Sequence, residues 1–322
     1  MIARANSTLG LLGVFLILVT ALPALAKEGD PLAEGRERHL NGHGFMPSIY
    51  VADPFVSSSF QNHTGGGMAM NLKTIFKDLE GNELFEITGD LFFAALGLGY
   101  QQKLGSKWAV GANLSGLVKS GTNAQSFLTE GADVDRQANL WVKYRLKRTE
   151  KCQFSVGLEW NYAKALYFTP YEFAKYIYDT GAIEDAPILV ESKVWTSRVS
   201  FNWARGFSPA FGLRVNGEFG LYDLPQNSGV TKGSHRVGVL GELDLQGTKA
   251  GIPLGFSLGY TLALPDDDPL TGLSGTLLGF WYTGKVDFVV GAETGFMKLP
   301  VANRDVDKVE SLFGIITIKY YF

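Results

Sequence analysis

From about Met68 to the C-terminus, the chain alternates apolar residues with small or polar ones in segments of some ten residues. Trp108, Val110, Ala112 and Leu114 share one face, and Ala109, Gly111, Asn113 and Ser115 the other. Phe154, Val156, Leu158, Trp160 and Tyr162 oppose Ser155, Gly157, Glu159, Asn161 and Ala163. The same rhythm runs through Phe211–Leu221 and Leu254–Leu262. A period of two is the signature of a strand, whose successive side chains point to opposite faces; an amphipathic helix would place its apolar residues at i, i+3 and i+4.

The pattern predicts twelve strands, near 67–76, 90–104, 107–119, 136–147, 153–165, 193–204, 210–222, 235–246, 252–263, 275–283, 285–297 and 312–322. They exceed the roughly five or six residues of soluble strands and match the nine to eleven needed to cross a bilayer. The connections alternate in length. Short turns (Gly105-Ser106, 148–152, 205–209, 247–251 and Gly284) lie between longer loops such as 120–135, 166–192, 223–234, 264–274 and 298–311. Lipid offers no hydrogen-bond partners, so a sheet crossing it must close and leave no edge. The fold class expected is all-β: a closed antiparallel transmembrane β-barrel of about twelve strands, with a backbone radius of roughly 12 Å.

The last strand carries the most specific signal. Leu312, Gly314, Ile316, Ile318, Tyr320 and Phe322 form one face, and Phe322 is the final residue. This resembles the C-terminal signature of Gram-negative outer-membrane β-barrel proteins. The resemblance spans residues 67–322 as an architecture and leaves the subfamily open. It implies short periplasmic turns, long extracellular loops, a place in the cell outer membrane and contact with its lipid. It also implies that Tyr320 and Phe322 are read by the barrel-assembly machinery. The alternation is similar, too, to that of barrels associated with the phenol meta-cleavage pathway, a likeness that rests on no motif.

Composition then changes the picture at the N-terminus. Of 322 residues, 46% are hydrophobic and 39 are Gly, with a single Cys. That much apolar and aromatic side chain excludes a disordered chain, and one Cys cannot staple a secreted scaffold. After residue 26 no apolar run reaches the roughly 18 residues of a membrane helix. Residues 1–26 read as a cleaved signal peptide: Arg4, an apolar stretch from Leu9 to Val19, then Ala24-Leu25-Ala26. The mature chain then holds 28 basic and 32 acidic residues, a net charge of −4. This gives no basic face, so nucleic acid is not an expected partner.

The face opposite the aromatic one is expected to line the lumen. Its cations are Lys73, Lys119, Lys143, Arg145, Arg198, Arg214, Arg236 and Lys319; its anions are Glu159, Glu218, Glu242, Asp244, Asp287 and Glu293. Facing lipid, each Arg or Lys would cost about 2–4 kcal/mol near the midplane, which supports this register. Lys143, Arg145, Arg198, Arg214, Glu159, Glu218 and Glu293 are the candidate selectivity residues, with Arg198, Arg214 and Lys143 as a cation belt. The alternative is that the charges are cross-strand ion pairs filling a narrow barrel. Trp108, Trp160, Trp203, Tyr282 and Tyr320 read as interfacial girdle residues.

Residues 27–66 are expected to be a periplasmic segment or plug, and 48–61 could equally be an extra strand; Gly65-Gly66-Gly67 reads as a flexible join. The aromatic-rich loop 166–192 is long enough to be functional, as a constriction or a solute-binding surface, or else an ordered cap. His39 and His43 lie four apart without further ligands, so no metal or other cofactor is expected. Cys152 falls in a turn without a partner. His235 sits beside Ser234, and neighbours on a strand point to opposite sides, so the two cannot form a nucleophile–base pair. No G-x-S-x-G or H-E-x-x-H occurs. The expectation is therefore not an enzyme but a channel for small polar or anionic solutes, or for small hydrophobic compounds. A structural or adhesive barrel with a closed lumen is the alternative, followed by an outer-membrane hydrolase.

Overall fold

The computed structural model describes residues 36–77, 83–124, 126–127, 131–168, 170–181, 189–223, 231–265, 273–285, 287–299 and 309–322. The signal-peptide reading of residues 1–26 lies outside them, and so does the side chain of Lys73. A two-stranded hairpin comes first, β1 (His39–Leu40) and β2 (His43–Gly44). Twelve long strands follow: β3 (Ser59–Lys77), β4 (Glu83–Leu104), β5 (Trp108–Gly121), β6 (Ala132–Arg148), β7 (Cys152–Phe168), β8 (Val190–Gly206), β9 (Phe211–Asp223), β10 (Thr231–Asp244), β11 (Leu254–Pro265), β12 (Leu273–Tyr282), β13 (Phe288–Leu299) and β14 (Val309–Tyr321). Each pairs antiparallel with the next, and β14 pairs with β3 to close the barrel.

The alternation reads directly into burial. Along β14, Ser311, Phe313, Thr317 and Lys319 are buried, while Leu312, Ile316, Ile318 and Tyr320 stand exposed. Phe92, Leu96, Leu140, Leu258 and Leu278 continue that exposed apolar coat. An outward coat of this kind is what a bilayer would cover. Four of the expected girdle rings, on Trp108, Trp203, Tyr282 and Tyr320, lie at the ends of their strands next to the short turns. Trp160 sits higher, beside the level of the Tyr162–Trp195 pair, whose rings are 4.5 Å apart.

Several expectations change. The barrel begins at Ser59, not 67, and Gly65-Gly66-Gly67 is no join: it pairs mid-strand with Ile315, Gly314 and Phe313. The glycines are there for close approach, since a Cβ on Gly67 would stand 2.6 Å from the Phe93 ring and one on Gly65 2.7 Å from Ile315. β3 and β4 pair out to Lys77 and Glu83, so the expected long connection between them shrinks to 78–82. Asp287 is not a lumen residue; it is exposed on the turn before β13. The loop after β7 holds a helix, α1 (Pro170–Thr180), with Phe173 6.4 Å from Phe168, which in turn lies 6.0 Å from Phe127. Finally, the inward face is not uniformly polar. Leu240, Leu277, Phe313 and Ile315 point in and form an apolar cluster on the β10–β14 side.

Candidate functional site

That apolar cluster includes Val51, with Ile49 and Tyr50 packed against it, and none of these three belongs to the barrel wall. Residues 36–58 run inside the barrel. They enter at the short-turn end, where Arg148 donates to the carbonyls of Glu37 and His39 at 2.6 and 3.1 Å. They rise to a bend at Ser48–Asp53 and return to Ser59, the start of β3. This plug has little sheet of its own, so its buried backbone groups need partners from elsewhere. Wall side chains supply them. Glu242 accepts from the Met46 N–H at 2.6 Å, and Glu293 accepts from Ser48 Oγ at 2.6 Å and the Ile49 N–H at 3.2 Å. Arg236 donates to the Tyr50 carbonyl at 2.6 Å. Gln101 donates to the carbonyls of Phe55 and Ser57, and Gln153 to that of Pro54.

Two ionic anchors complete the seat. Arg214 and Glu242 form a wholly buried pair with Nε and Oε1 2.5 Å apart, and His43 Nε2 lies 3.7 Å from the same carboxylate. Nearer the bend, the plug's Asp53 reaches two wall cations, Lys143 at 3.0 Å and Lys319 at 3.5 Å. Burial would raise the Asp53 pKa, but Lys143, Lys319 and Arg214 outweigh it and hold the carboxyl well below the usual carboxylate range. The wall is also shaped to the plug by missing side chains. A Cβ on Gly212 would stand 2.3 Å from the His43 ring and 2.9 Å from that of Phe45; one on Gly255 would meet Met46, and one on Gly206 the Leu40 carbonyl.

Beside and above the bend lies a polar cavity of about 380 Å³ between the plug and the wall of β3–β10 and β14. Glu159 and Arg198 pair across β7 and β8 at 2.9 Å, and Glu218 and Arg236 across β9 and β10 at 4.0 Å. Trp141, Gln61, His63, Asn113, Asn139 and Asn202 share the lining.

The candidate selectivity residues therefore divide. Glu159, Arg198 and Glu218 line the cavity; Arg214 and Glu293 serve the plug; Lys143 does both. Arg145 lies near the short-turn end, beside a register shift in β6 and away from the cavity lining. The cation belt is thus not a ring of unpaired charges: Lys143, Arg198 and Arg214 each hold a carboxylate. Asp53, Tyr50 and Ser48 were not singled out by their sequence context. The inward glycines of β8, β9 and β11 were the available signal, since Gly opposite an apolar coat leaves room for something inside the barrel. His235 is exposed, 5.1 Å from the Phe219 ring on the outer face, whereas Ser234 lies toward Gly220 and the lumen. His43 is buried against Phe45, and among the described residues no three potential metal ligands cluster.

No protein-family model and no curated protein sequence matches the chain. Solved structures do. An outer membrane channel from Pseudomonas putida F1 superposes with a TM-score of 0.52 at 13% identity, over 86% of this chain and 100% of that one. The translocator domain of the autotransporter NalP from Neisseria meningitidis gives 0.51 at 10% identity, over 84% of this chain and 90% of that one. At this identity the likeness is one of fold: the chain has the fold of outer-membrane β-barrels, and these two are a channel and a translocator domain, neither an enzyme by its description.

Proposed function

We propose that this protein is an outer-membrane channel for small polar or anionic solutes, narrowed on its periplasmic side by its own N-terminal segment. The observation that carries the reading is the division of the lumen. A chain segment, held by ion pairs and side-chain hydrogen bonds, fills one end, and a polar cavity lined by charged pairs occupies the space beside and above it. A barrel meant only to be solid would be expected to fill that space with packed side chains. The short turns then face the periplasm and the long loops the exterior, as in other barrels of this architecture. Tyr320 and Phe322, at the periplasmic end of the last strand, fit recognition by the barrel-assembly machinery.

The mixed lining favours small polar solutes over hydrophobic ones. Most cavity-lining side chains are polar or charged, and the apolar cluster of the lumen is already occupied by Val51 and Phe313. Proteoliposomes containing the folded, heat-modifiable protein should release entrapped chloride faster than protein-free liposomes, with a lower chloride-over-potassium preference in Arg198→Glu. Liposomes that stay sealed would instead support a structural barrel with a closed lumen.

A further inference from the structure

Resting on the channel reading, we propose that the cavity is a binding site for a small hydroxylated carboxylate, and that Asp53 is the tethered group it displaces. Lys143 and Lys319 both line the cavity, and among the described residues their only ion-pair partner is Asp53. The wall thus presents two cations and leaves their anion to a segment that is not part of it. The remaining charges of the lining are matched within the wall, Arg198 with Glu159 and Arg236 with Glu218. If the plug is displaced, the two lysines are the charges of this lining left unbalanced, and a carboxylate is the group that suits them.

The rest of the lining says what the carboxylate should be attached to. The carboxamide oxygens of Asn113, Asn139 and Asn202 and Nδ1 of His63 are buried without a hydrogen-bond partner among the described residues. Asn202 is only 1% exposed, and its amide nitrogen is already committed to Ser200 Oγ at 3.1 Å. Asn113 and Asn139 are directly paired across β5 and β6, so their side chains point the same way. Unpaired acceptors of this kind call for donors, which hydroxyl groups supply once the plug bend is released and the carboxamides turn toward the cavity. Trp141 adds a flat apolar face beside Lys143, with the ammonium 5.3 Å from the ring centre. A volume of about 380 Å³ is at the small end for ligand pockets, which suits a molecule of sugar-acid size. An apolar solute would leave both lysines and the three carboxamide oxygens unmatched.

The consequence is coupling. Asp53 is held at high effective concentration by its own chain, so a solute carboxylate competes with it, and binding favours release of the plug bend. Calorimetric titration of the folded full chain in detergent tests this, with D-gluconate, acetate and D-glucose as probes. Asp53→Asn should bind D-gluconate about tenfold or more tightly than the wild type, because the internal competitor is gone. D-Gluconate should bind that variant more tightly than acetate, which lacks the hydroxyls, or D-glucose, which lacks the charge. Adding Lys319→Gln should abolish the gain. If Asp53→Asn does not keep heat-modifiable migration, Asp53→Ser provides the same comparison. Equal gluconate affinity in wild type and variant, or glucose binding as tightly as gluconate, would overturn the site and leave chloride release untouched. Tightened gluconate binding in a barrel that releases no chloride would support the site and refute the channel.

Discussion

Asp53 shows how a single side chain sets the state of the lumen. Its carboxyl is held below the usual range because Lys143, Lys319 and Arg214 together outweigh the cost of burying it. A carboxyl whose pKa is depressed on docking contributes fully above its undocked value and loses that contribution only as pH falls through the depressed one. Plug docking through Asp53 is therefore expected to be unchanged from about pH 8 to about pH 5, and to weaken only in stronger acid. Asp53→Asn removes the carboxylate that two wall lysines share in a partly buried pair, and should loosen the plug already at neutral pH. Protease accessibility of the plug, measured across pH in both proteins, checks this; a wild-type plug released near pH 5 would contradict it. None of this was legible at Asp53 itself. In sequence it is one acid in a polar stretch, and its partners Lys143 and Lys319 are 90 and 266 positions away, a separation that only barrel closure brings together.

At the scale of elements, the strands were readable because their pattern is local. Period two needs only near neighbours, and the face it assigned to Lys143, Glu159, Arg198 and Arg214 is the inward face. Where apolar residues occupy both faces, the pattern loses its contrast. Phe313-Gly314-Ile315-Ile316 alternates in exposure but not in polarity, so the apolar half of the lumen was hidden. The start of β3 was hidden for a related reason, since three consecutive glycines look like a linker until their bulky cross-strand neighbours are known. The plug itself has no periodicity, because its conformation is dictated by the wall. The wall glycines record the fit, and they give a prediction that belongs to this scale. Gly212→Val would drive a side chain into the buried His43 and Phe45 rings, and overpacking of this kind typically costs about 1–3 kcal/mol. The barrel should keep its heat-modifiable fold while the plug becomes protease-sensitive. A plug as protected as in the wild type would mean that the glycine was not shaped by it.

Across the whole molecule, two solvents meet one sheet. Outside, the coat of Phe, Leu, Ile and Trp presents an apolar surface and the backbone is fully paired around the circle, which is what a bilayer demands. Inside, a segment contributed by the same chain substitutes for the water that would otherwise fill one end. Closing a lumen this way takes no hydrogen bond from the barrel ladder, since the plug is tied mainly to wall side chains and to backbone at turns and strand ends, such as the Glu150 carbonyl and the Phe322 N–H, and so its removal should leave the barrel intact. Single-channel recording in planar bilayers, comparing the wild type with a variant lacking residues 37–57, tests that account most directly. The variant is expected to assemble as a heat-modifiable barrel and to conduct in larger and longer-lived steps than the wild type. A folded variant whose conductance is no greater than that of the wild type would show that the N-terminal segment does not close the pore.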